Sequence, residues 1–529
     1  MSSTATLTSA EHGAEAARGR GRVPVVVLSV VLAVVFLGGA WAAWFFTIDD
    51  AFISFRYAKN LADGHGPVWN LTGQPVEGFT NFAWVAWSAV GSLLGIALPL
   101  FTKITSLVLG AATLYLLVST GRRYAGLGGA IVAGGAFALF VPTYFHLTGG
   151  LETTAFAAVL LRVAVLGLRV LDQQRIRDWE LPLLLLLAGT LRPEGVVAAL
   201  PAFLVWIWHE RRRVPPRWFT AAAVLLGGAY FVWRWQFYGH LLPNTFYVKF
   251  GHLDAGYLWS VHTAKVLAPL ILLTLALIVR RATRAAGLLL IATVAVTYAT
   301  YAVSGPTMDF LDRFADHAFP ILCLGAGIAM KGLLPRPAAA LAGTVAVAWT
   351  AYFGAVAPDL PATANYGPDL QRTHVAIGKA LASADVPEAA RTLAVSDAGA
   401  IPYYSGWHTI DYIGLNDAAI AHGADPTRVV TAARPTVVVI TSTGATPGVI
   451  DADKYGLNTA EATRGYIHLA SVPMRDGYYQ EVFALPEHAP ALRTAVTTTV
   501  DAAQAANDPG RYDSSIGRWL TRLQHQITG

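Results

Sequence analysis

Two adjacent carboxylates, Asp49 and Asp50, stand where a long apolar run ends, in the segment FFTIDDAFISFRYAKN. A carboxylate can take a proton from a hydroxyl group, and nearby cations can hold a phosphate leaving group. Arg56 and Lys59 follow the pair by six to ten residues and are candidate cations. The residue types suit transfer of a group from a lipid phosphate to a hydroxyl. Helix capping by the pair and snorkelling of the cations to the lipid–water boundary are the simpler alternatives.

The composition places this segment in a membrane protein. The chain of 529 residues is 54% hydrophobic and 13% charged, whereas soluble proteins carry about 25% charged residues. A single cysteine, Cys323, allows neither a disulfide within the chain nor a cysteine-based zinc site. The net charge of +5 is explained by the placement of Lys and Arg in a membrane topology. No nucleic-acid partner is therefore expected.

About eleven apolar segments are predicted to cross the lipid bilayer. The first, Val23 to Phe46, is longer than a signal-peptide core and is predicted to be a retained anchor after a cytoplasmic tail at 1–22. The others lie at 100–119, 127–147, 154–171, 180–191, 193–208, 218–237, 258–279, 285–303, 318–334 and 338–357. With the N-terminus inside, every dense basic cluster, Arg211 to Arg213 among them, falls on the cytoplasmic side. Counting the apolar stretch 80–98 as a crossing would scatter these clusters, so it is predicted to lie at the outer interface.

The loops left on the outer side carry most of the remaining acids, amides and cations. Their candidate residues are Glu77 and Asn81 in VEGFTNF, Glu152 in GGLETTAF, Arg192 and Glu194 in LRPEG, Asn244, Tyr247 and Lys249 in LLPNTFYVK, and Asp309, Arg313 and His317 in MDFLDRFADH. Ionisable residues at membrane depth usually serve function, although helix capping or pairing of Arg192 with Glu194 would also explain them. The asymmetry predicts an enzyme or a transporter with one external cavity.

After about residue 358 the composition loses its membrane character. The stretches RTLAVSDAGAIPYYSG, TVVVITST and YYQEVFAL are typical of short strands between helices. We therefore predict a transmembrane domain at 23–357 and an extracytoplasmic α/β domain at 358–529. Asp397 is expected in a turn after a strand, and Tyr403, Tyr404 and Trp407 are expected either to stack on sugar rings or to form the domain core.

Taken together and in this order, six motifs between about Thr47 and Asp417 resemble one family. They are DDAFISFRYAKN, VEGFTNF, GGLETTAF, LRPEG, YGHLLPNTFYVK and SDAGAIPYYSGWHTIDYIGLND. The set resembles the polyprenyl-phosphate-dependent glycosyltransferases of the GT-C superfamily, most of all the actinobacterial terminal arabinofuranosyltransferase (AftB-like) group. The resemblance implies a multi-spanning plasma-membrane protein that transfers a sugar, arabinofuranose, from a decaprenyl-phosphate donor to a cell-wall polysaccharide at its outer face.

The resemblance also implies roles for individual residues. Asp49 would be the catalytic carboxylate and Asp50 its partner or a metal ligand, which leaves a divalent cation open as a cofactor. Donor or phosphate binding is assigned to Arg56, Lys59, Arg192, Asn244, Tyr247, Lys249 and Arg313. Acceptor or sugar binding is assigned to Glu77, Asn81, Glu152, Glu194, Asp309, His317, Asp397, Tyr404 and Trp407.

Two other functions stay open at this point: a transporter or flippase of a lipid-linked sugar, and a non-catalytic scaffold of cell-wall assembly. Transporters usually show paired repeats with a polar site near the membrane midplane, whereas this chain shows no repeat and gathers its polar groups at the outer edge. The transferred sugar and the stereochemistry also stay open, since one carboxylate base fits inversion and retention would use the pair differently.

Overall fold

The computed structural model describes residues 4–211, 214–444 and 456–506, so Arg212, Arg213 and the tail after residue 506 lie outside the described residues. The part up to residue 355 is helical. Its helices are α1 Thr4–Ala42, α2 Asp49–Ala62, α3 Phe82–Leu93, α4 Leu98–Leu139, α5 Val141–Thr148, α6 Thr153–Leu171, α7 Glu180–Leu191, α8 Gly195–Glu210, α9 Val214–Tyr238, α10 Asn244–Lys249, α11 Leu253–Ala276, α12 Arg284–Ser304, α13 Arg313–Asp316, α14 Phe319–Ala329 and α15 Arg336–Ala355.

Six of the described helices are long and apolar enough to cross a membrane: the Val23–Ala42 part of α1, and α4, α6, α11, α12 and α15. Four shorter apolar helices, α3, α7, α8 and α14, accompany them. The chain is therefore a multi-pass helical membrane protein, and the count of eleven crossings stays a prediction. With 12 residues, α3 is about 18 Å long, which is too short for ~30 Å of hydrocarbon.

The helix α4 contains a chain reversal where the sequence predicts a gap between two apolar segments. Ala125 and Gly126 leave the helical conformation, and Gly126 has φ +65°, which favours glycine. A Cβ at Gly121 would lie 2.6 Å from the carbonyl oxygen of Gly129, although residues eight apart in a straight helix are ~12 Å apart. The two arms of α4 therefore fold back on each other at this point.

The remaining part is an α/β domain. Its helices are α16 Leu360–Leu370, α17 Ala376–Ser383, α18 Ala400–Ser405, α19 Ala418–Ala421, α20 Pro426–Ala433, α21 Thr459–Ala462 and α22 Ala489–Ala505. Its strands are β1 Thr392–Val395, β2 His408–Asp411, β3 Val437–Ser442, β4 Ile467–Arg475 and β5 Tyr478–Ala484. The sheet order is β2-β1-β3-β5-β4, in which β1 runs parallel to β2 and β3, and β5 runs antiparallel to β3 and β4.

Helix α2, which begins with the acidic pair, is wedged between the membrane helices and this α/β domain. All of its residues from Ala51 to Ala58 are buried. Its alternation of Phe55 and Ala58 with Arg56 and Lys59 is an amphipathic pattern that would predict a helix lying on the membrane surface, but that prediction is wrong because both of its faces are covered by protein. One face borders a cavity and the other contacts the α/β domain.

Candidate active site

The two faces of α2 separate the two aspartates. Asp50, Ile53 and Ser54 follow the i, i+3, i+4 spacing of one helix face, and all three line the cavity. Asp49 points to the opposite side. The adjacent acids, which sequence reasoning treats as one unit, therefore have different surroundings.

The cavity lies between α2, the ends of several membrane helices and the α/β domain. Its volume is about 360 Å³, within the range of roughly 300–1,000 Å³ typical of small-molecule sites. The side chains that line it include Asp50, Ile53, Ser54, Phe79, Asn81, Leu151, Glu152, Arg192, Glu194, Thr245, Phe246, Lys249, Phe250, Tyr301, Arg313, Phe314 and Leu415. The charged side chains suit a phosphate group of a ligand, and the aromatic side chains suit an apolar chain or a sugar ring.

Asp50 is the acid of the pair that a ligand can reach. Its carboxylate makes no hydrogen bond or ion pair with any other described residue, and it lies within electrostatic reach of Arg313. Neither aspartate caps α2, because the N-cap residue is Ile48 and it carries no side-chain cap. Both acids sit in the first turn, where the helix dipole favours negative charge.

Asp49 is held by the α/β domain. Its two carboxylate oxygens accept hydrogen bonds from the backbone N–H groups of Gly399, at 3.0 Å, and Ala400, at 2.8 Å. The residue is 6% exposed, and this burial, against the opposing effect of His374, raises the pKa of Asp49 to about 6. Asp49, the predicted catalytic carboxylate, therefore does not line the cavity. Both of its oxygens already accept hydrogen bonds from the α/β domain.

A group of buried charges forms one wall of the cavity around Glu152. This carboxylate accepts hydrogen bonds from Asn81 at 2.7 Å and Arg192 at 2.6 Å, and Arg313 lies 3.6 Å away. Burial alone would raise its pKa, but the two guanidinium groups more than offset this and hold the pKa of Glu152 below its ordinary value. Glu194 takes a second bond from Arg192, at 2.5 Å. The predicted Arg192–Glu194 pair exists, inside a larger network.

Two cations that line the cavity keep unused hydrogen-bond donors. Arg313 donates from Nε to Thr153 at 3.4 Å and otherwise only approaches Glu152. Lys249, on the last turn of α10, has no hydrogen-bond or ion-pair partner within the described ranges. These two side chains are available to an anionic ligand, whereas Arg192 is already hydrogen-bonded to two carboxylates.

The structure places four other predicted phosphate-binding residues away from the cavity. The prediction that Arg56 binds phosphate is wrong. Its guanidinium donates to the carbonyls of Trp69, Pro402 and Trp407 and to the side chain of Asn70. The remaining three lie elsewhere: Lys59 is exposed at the far end of α2, Asn244 is buried against Gly414, and Tyr247 packs on His422.

Three predicted sugar-binding residues of the membrane part also serve local structure. Glu77 is buried in an ion pair with Arg234. Asp309 accepts the backbone N–H of Phe314, and His317 is enclosed and bonded to Tyr301. None of the three lines the cavity.

In the α/β domain, the predicted sugar contacts are packing or network residues. Tyr404 packs on Phe52 of α2 with ring centroids 5.6 Å apart, and Trp407 is 1% exposed. Asp397 is bonded to other side chains of the same domain. The alternative of a domain core is therefore the correct one for these aromatics, and the sugar-stacking role is not.

Sequence reasoning missed several residues of the cavity wall. Ser54 could have been found, since it stands four residues after Asp50 on the same helix face. Tyr301 could not, because it lies inside the apolar run of α12. Its hydroxyl nevertheless donates to Glu194 at 2.7 Å.

The donor set does not suggest a metal centre. Among the described residues, no group of three or more His, Cys, Asp or Glu side chains is placed to hold a metal ion. The other acids of the cavity, Glu152 and Glu194, are engaged by Arg192. Asp50 therefore has no second free carboxylate beside it to complete a cation site.

The fold is similar to those of two proteins of known structure. The structure superposes on ArnT from Cupriavidus metallidurans in the apo state with a TM-score of 0.57 and 14% identity, covering 89% of this chain and 98% of that one. For the same protein bound to undecaprenyl phosphate the TM-score is 0.53 at 13% identity, with 87% and 97% covered. The oligosaccharyltransferase of Archaeoglobus fulgidus gives 0.51 at 12% identity, with 86% and 72% covered.

In sequence, the chain is similar to the terminal beta-(1->2)-arabinofuranosyltransferase of Mycobacterium tuberculosis (strain ATCC 25618 / H37Rv). The two are 30% identical over 267 residues, which is 45% of this chain and 40% of the relative. The resemblance to the terminal arabinofuranosyltransferase group is thereby confirmed, over less than half the length of that relative. Residues 364–507 match a domain of unknown function (DUF8728).

Proposed function

We propose that this protein is a glycosyltransferase that moves arabinofuranose from decaprenyl phosphate to a hydroxyl of a cell-wall glycan at the outer face of the plasma membrane. One observation carries the proposal: the unpartnered carboxylate of Asp50 shares a cavity with Arg313 and Lys249, two cations that are not hydrogen-bonded to any described carboxylate. The similarity to a terminal arabinofuranosyltransferase supports the choice of sugar. The basic clusters on the opposite loops support a cytoplasmic N-terminus and an external α/β domain.

In the proposed reaction Asp50 takes the proton of the acceptor hydroxyl as its oxygen bonds to the anomeric carbon of the donor. The bond between that carbon and the phosphate oxygen breaks, and polyprenyl phosphate leaves with the bonding electrons. Lys249 and Arg313 bind the phosphate and stabilise the charge that develops on it. The ion pair with Glu152 orients the guanidinium of Arg313. The proton resides on Asp50 until water removes it.

Purified protein in detergent is expected to transfer sugar from synthetic decaprenyl-phosphoryl arabinofuranose to a short arabinan acceptor, with the product read by mass spectrometry. A transporter needs two compartments, so it would release no product in micelles. Absence of product with this donor, and with the mannose and other pentose analogues in the same panel, would contradict the proposed function.

Lys249→Gln is expected to raise the KM for the donor about 10- to 100-fold, because a charge-assisted hydrogen bond contributes about 1.5–3 kcal/mol. The matched control is Lys59→Gln, which removes the same charge from an exposed site outside the cavity and is expected to leave KM unchanged. Initial rates over a range of donor concentrations distinguish the two. Equal shifts in both variants would mean that the effect is general electrostatics and that Lys249 does not bind the phosphate.

A further inference from the structure

The α/β domain reaches the acidic pair through a contact between residues 350 positions apart in the chain. The backbone N–H groups of Gly399 and Ala400 hold both oxygens of Asp49. Gly399 is required by the closeness of this contact, since a Cβ there would overlap the backbone oxygen and the carboxylate of Asp49. The first turn of α2 and the 399–400 backbone are therefore fitted to each other.

The segment that supplies these N–H groups is itself held by a buried side-chain network. Two residues before Gly399, Oδ2 of Asp397 lies 2.8 Å from Nε2 of His374. The same oxygen accepts from Tyr478 at 2.5 Å and from Gln480 at 2.8 Å. Four elements, the π-helical turn Gln371–Val375, the end of β1 and strand β5 with its neighbour β3, thus converge behind one loop.

The imidazole of His374 lies within electrostatic reach of two carboxylates, those of Asp397 and Asp49. It is fully buried, which disfavours the imidazolium, but Asp397 and Asp49 outweigh burial and raise the pKa of His374 above its ordinary value. The field of His374 in turn favours the ionised form of Asp49. The network is thus coupled to the acidic pair by charge as well as by backbone contact.

We propose that the α/β domain positions the acidic pair, and that His374 is a positioning residue that acts through Asp397, the Gly399 and Ala400 amides and Asp49 on the orientation of Asp50. This inference rests on the proposed function of Asp50. It assigns a role to residues 364–507, which match the domain of unknown function and contain every member of the network except Asp49. The domain contributes to the chemical step, which differs from a role confined to acceptor binding.

The test compares His374→Gln with His468→Gln in the full-length protein. The two histidines belong to the same domain and pair with acids at nearly the same distance, 2.8 Å to Asp397 and 2.7 Å to Glu481. Glu481 directly follows Gln480 on β5, so its side chain points to the sheet face opposite the Asp397 network. His374→Gln is expected to lower kcat about 10- to 100-fold, the size of effect that a misplacement of about 1 Å produces. Its donor KM is expected to be unchanged. His468→Gln is expected to keep wild-type kcat.

Coupling to Asp49 distinguishes positioning from general destabilisation. If His374 acts through Asp49, the double variant with Asp49→Asn is expected to be no slower than the slower single variant, whereas independent effects would multiply. Tyr478→Phe removes one hydroxyl donor to Asp397 and keeps the ring, so it is expected to fold and to lower kcat by a few-fold. Wild-type kcat in both His374→Gln and Tyr478→Phe, or multiplying effects with Asp49→Asn, would overturn the inference. An inactive wild-type protein would instead overturn the proposed function.

Discussion

Asp50→Asn is expected to lower kcat at least about 100-fold, since general-base catalysis typically contributes 10²- to 10⁴-fold, while donor binding and the melting temperature stay at wild-type values. The amide has nearly the same size and cannot accept the acceptor's proton. No described residue depends on the Asp50 carboxylate for a hydrogen bond, so the fold loses no hydrogen bond. Single-turnover rates and donor affinity, measured on the same preparation, test this.

Asp49→Asn is the informative comparison. Its amide offers one oxygen and one NH₂ group to two backbone N–H donors, so one hydrogen bond is replaced by a donor–donor clash. It is therefore expected to lower both the melting temperature and the activity. If Asp50→Asn kept near wild-type turnover while Asp49→Asn was stable but inactive, the general base would be Asp49 and not Asp50.

Glu77→Gln is expected to lower the free energy of unfolding by about 3–5 kcal/mol, because removal of one partner leaves a buried charge uncompensated. Arg234 donates from Nε to both oxygens of Glu77, at 2.9 and 3.0 Å, and from a second nitrogen at 2.5 Å. The two side chains are 7% and 5% exposed. Denaturant unfolding in detergent, followed by tryptophan fluorescence, measures the loss.

The control for this variant is Glu180→Gln. Its partner Arg162 lies at the same 2.5 Å distance, but the two side chains are 27% and 16% exposed. Solvent screens such a pair, so the expected loss is about 1 kcal/mol or less. Losses of equal size in the two variants would show that burial does not determine how much the Glu77–Arg234 pair contributes to the free energy of unfolding.

The polar loop motifs could be recognised from the sequence because apolar helices leave few places for polar groups. Glu152, Arg192 and Arg313 each stand between two apolar segments of the sequence. Charges at such positions must meet partners, so their convergence in one network follows from the pattern. The break in α4 was predictable for a similar reason, since Gly126 stands between two apolar runs.

The sequence could not predict that Asp49 is bound by the α/β domain while Asp50 lines the cavity. It depends on the rotation of α2 about its axis, which is set by a loop 350 residues later that supplies the N–H groups of Gly399 and Ala400. Arg56 shows the same difficulty. An arginine near a predicted phosphate site suggests a phosphate-binding residue. Its donors are instead used by the backbone carbonyls of Pro402 and Trp407, and backbone partners cannot be recognised from residue types.

The contact between Asp49 and Gly399 has a consequence for how the protein is made. A ribosome that adds about 5–20 residues per second needs roughly 20–70 s to synthesise the chain between them. During that interval α2 has been synthesised but lacks the backbone donors that will hold Asp49. A chain that ends before Gly399 lacks the donors that hold Asp49, so under the proposed function it is expected not to transfer sugar.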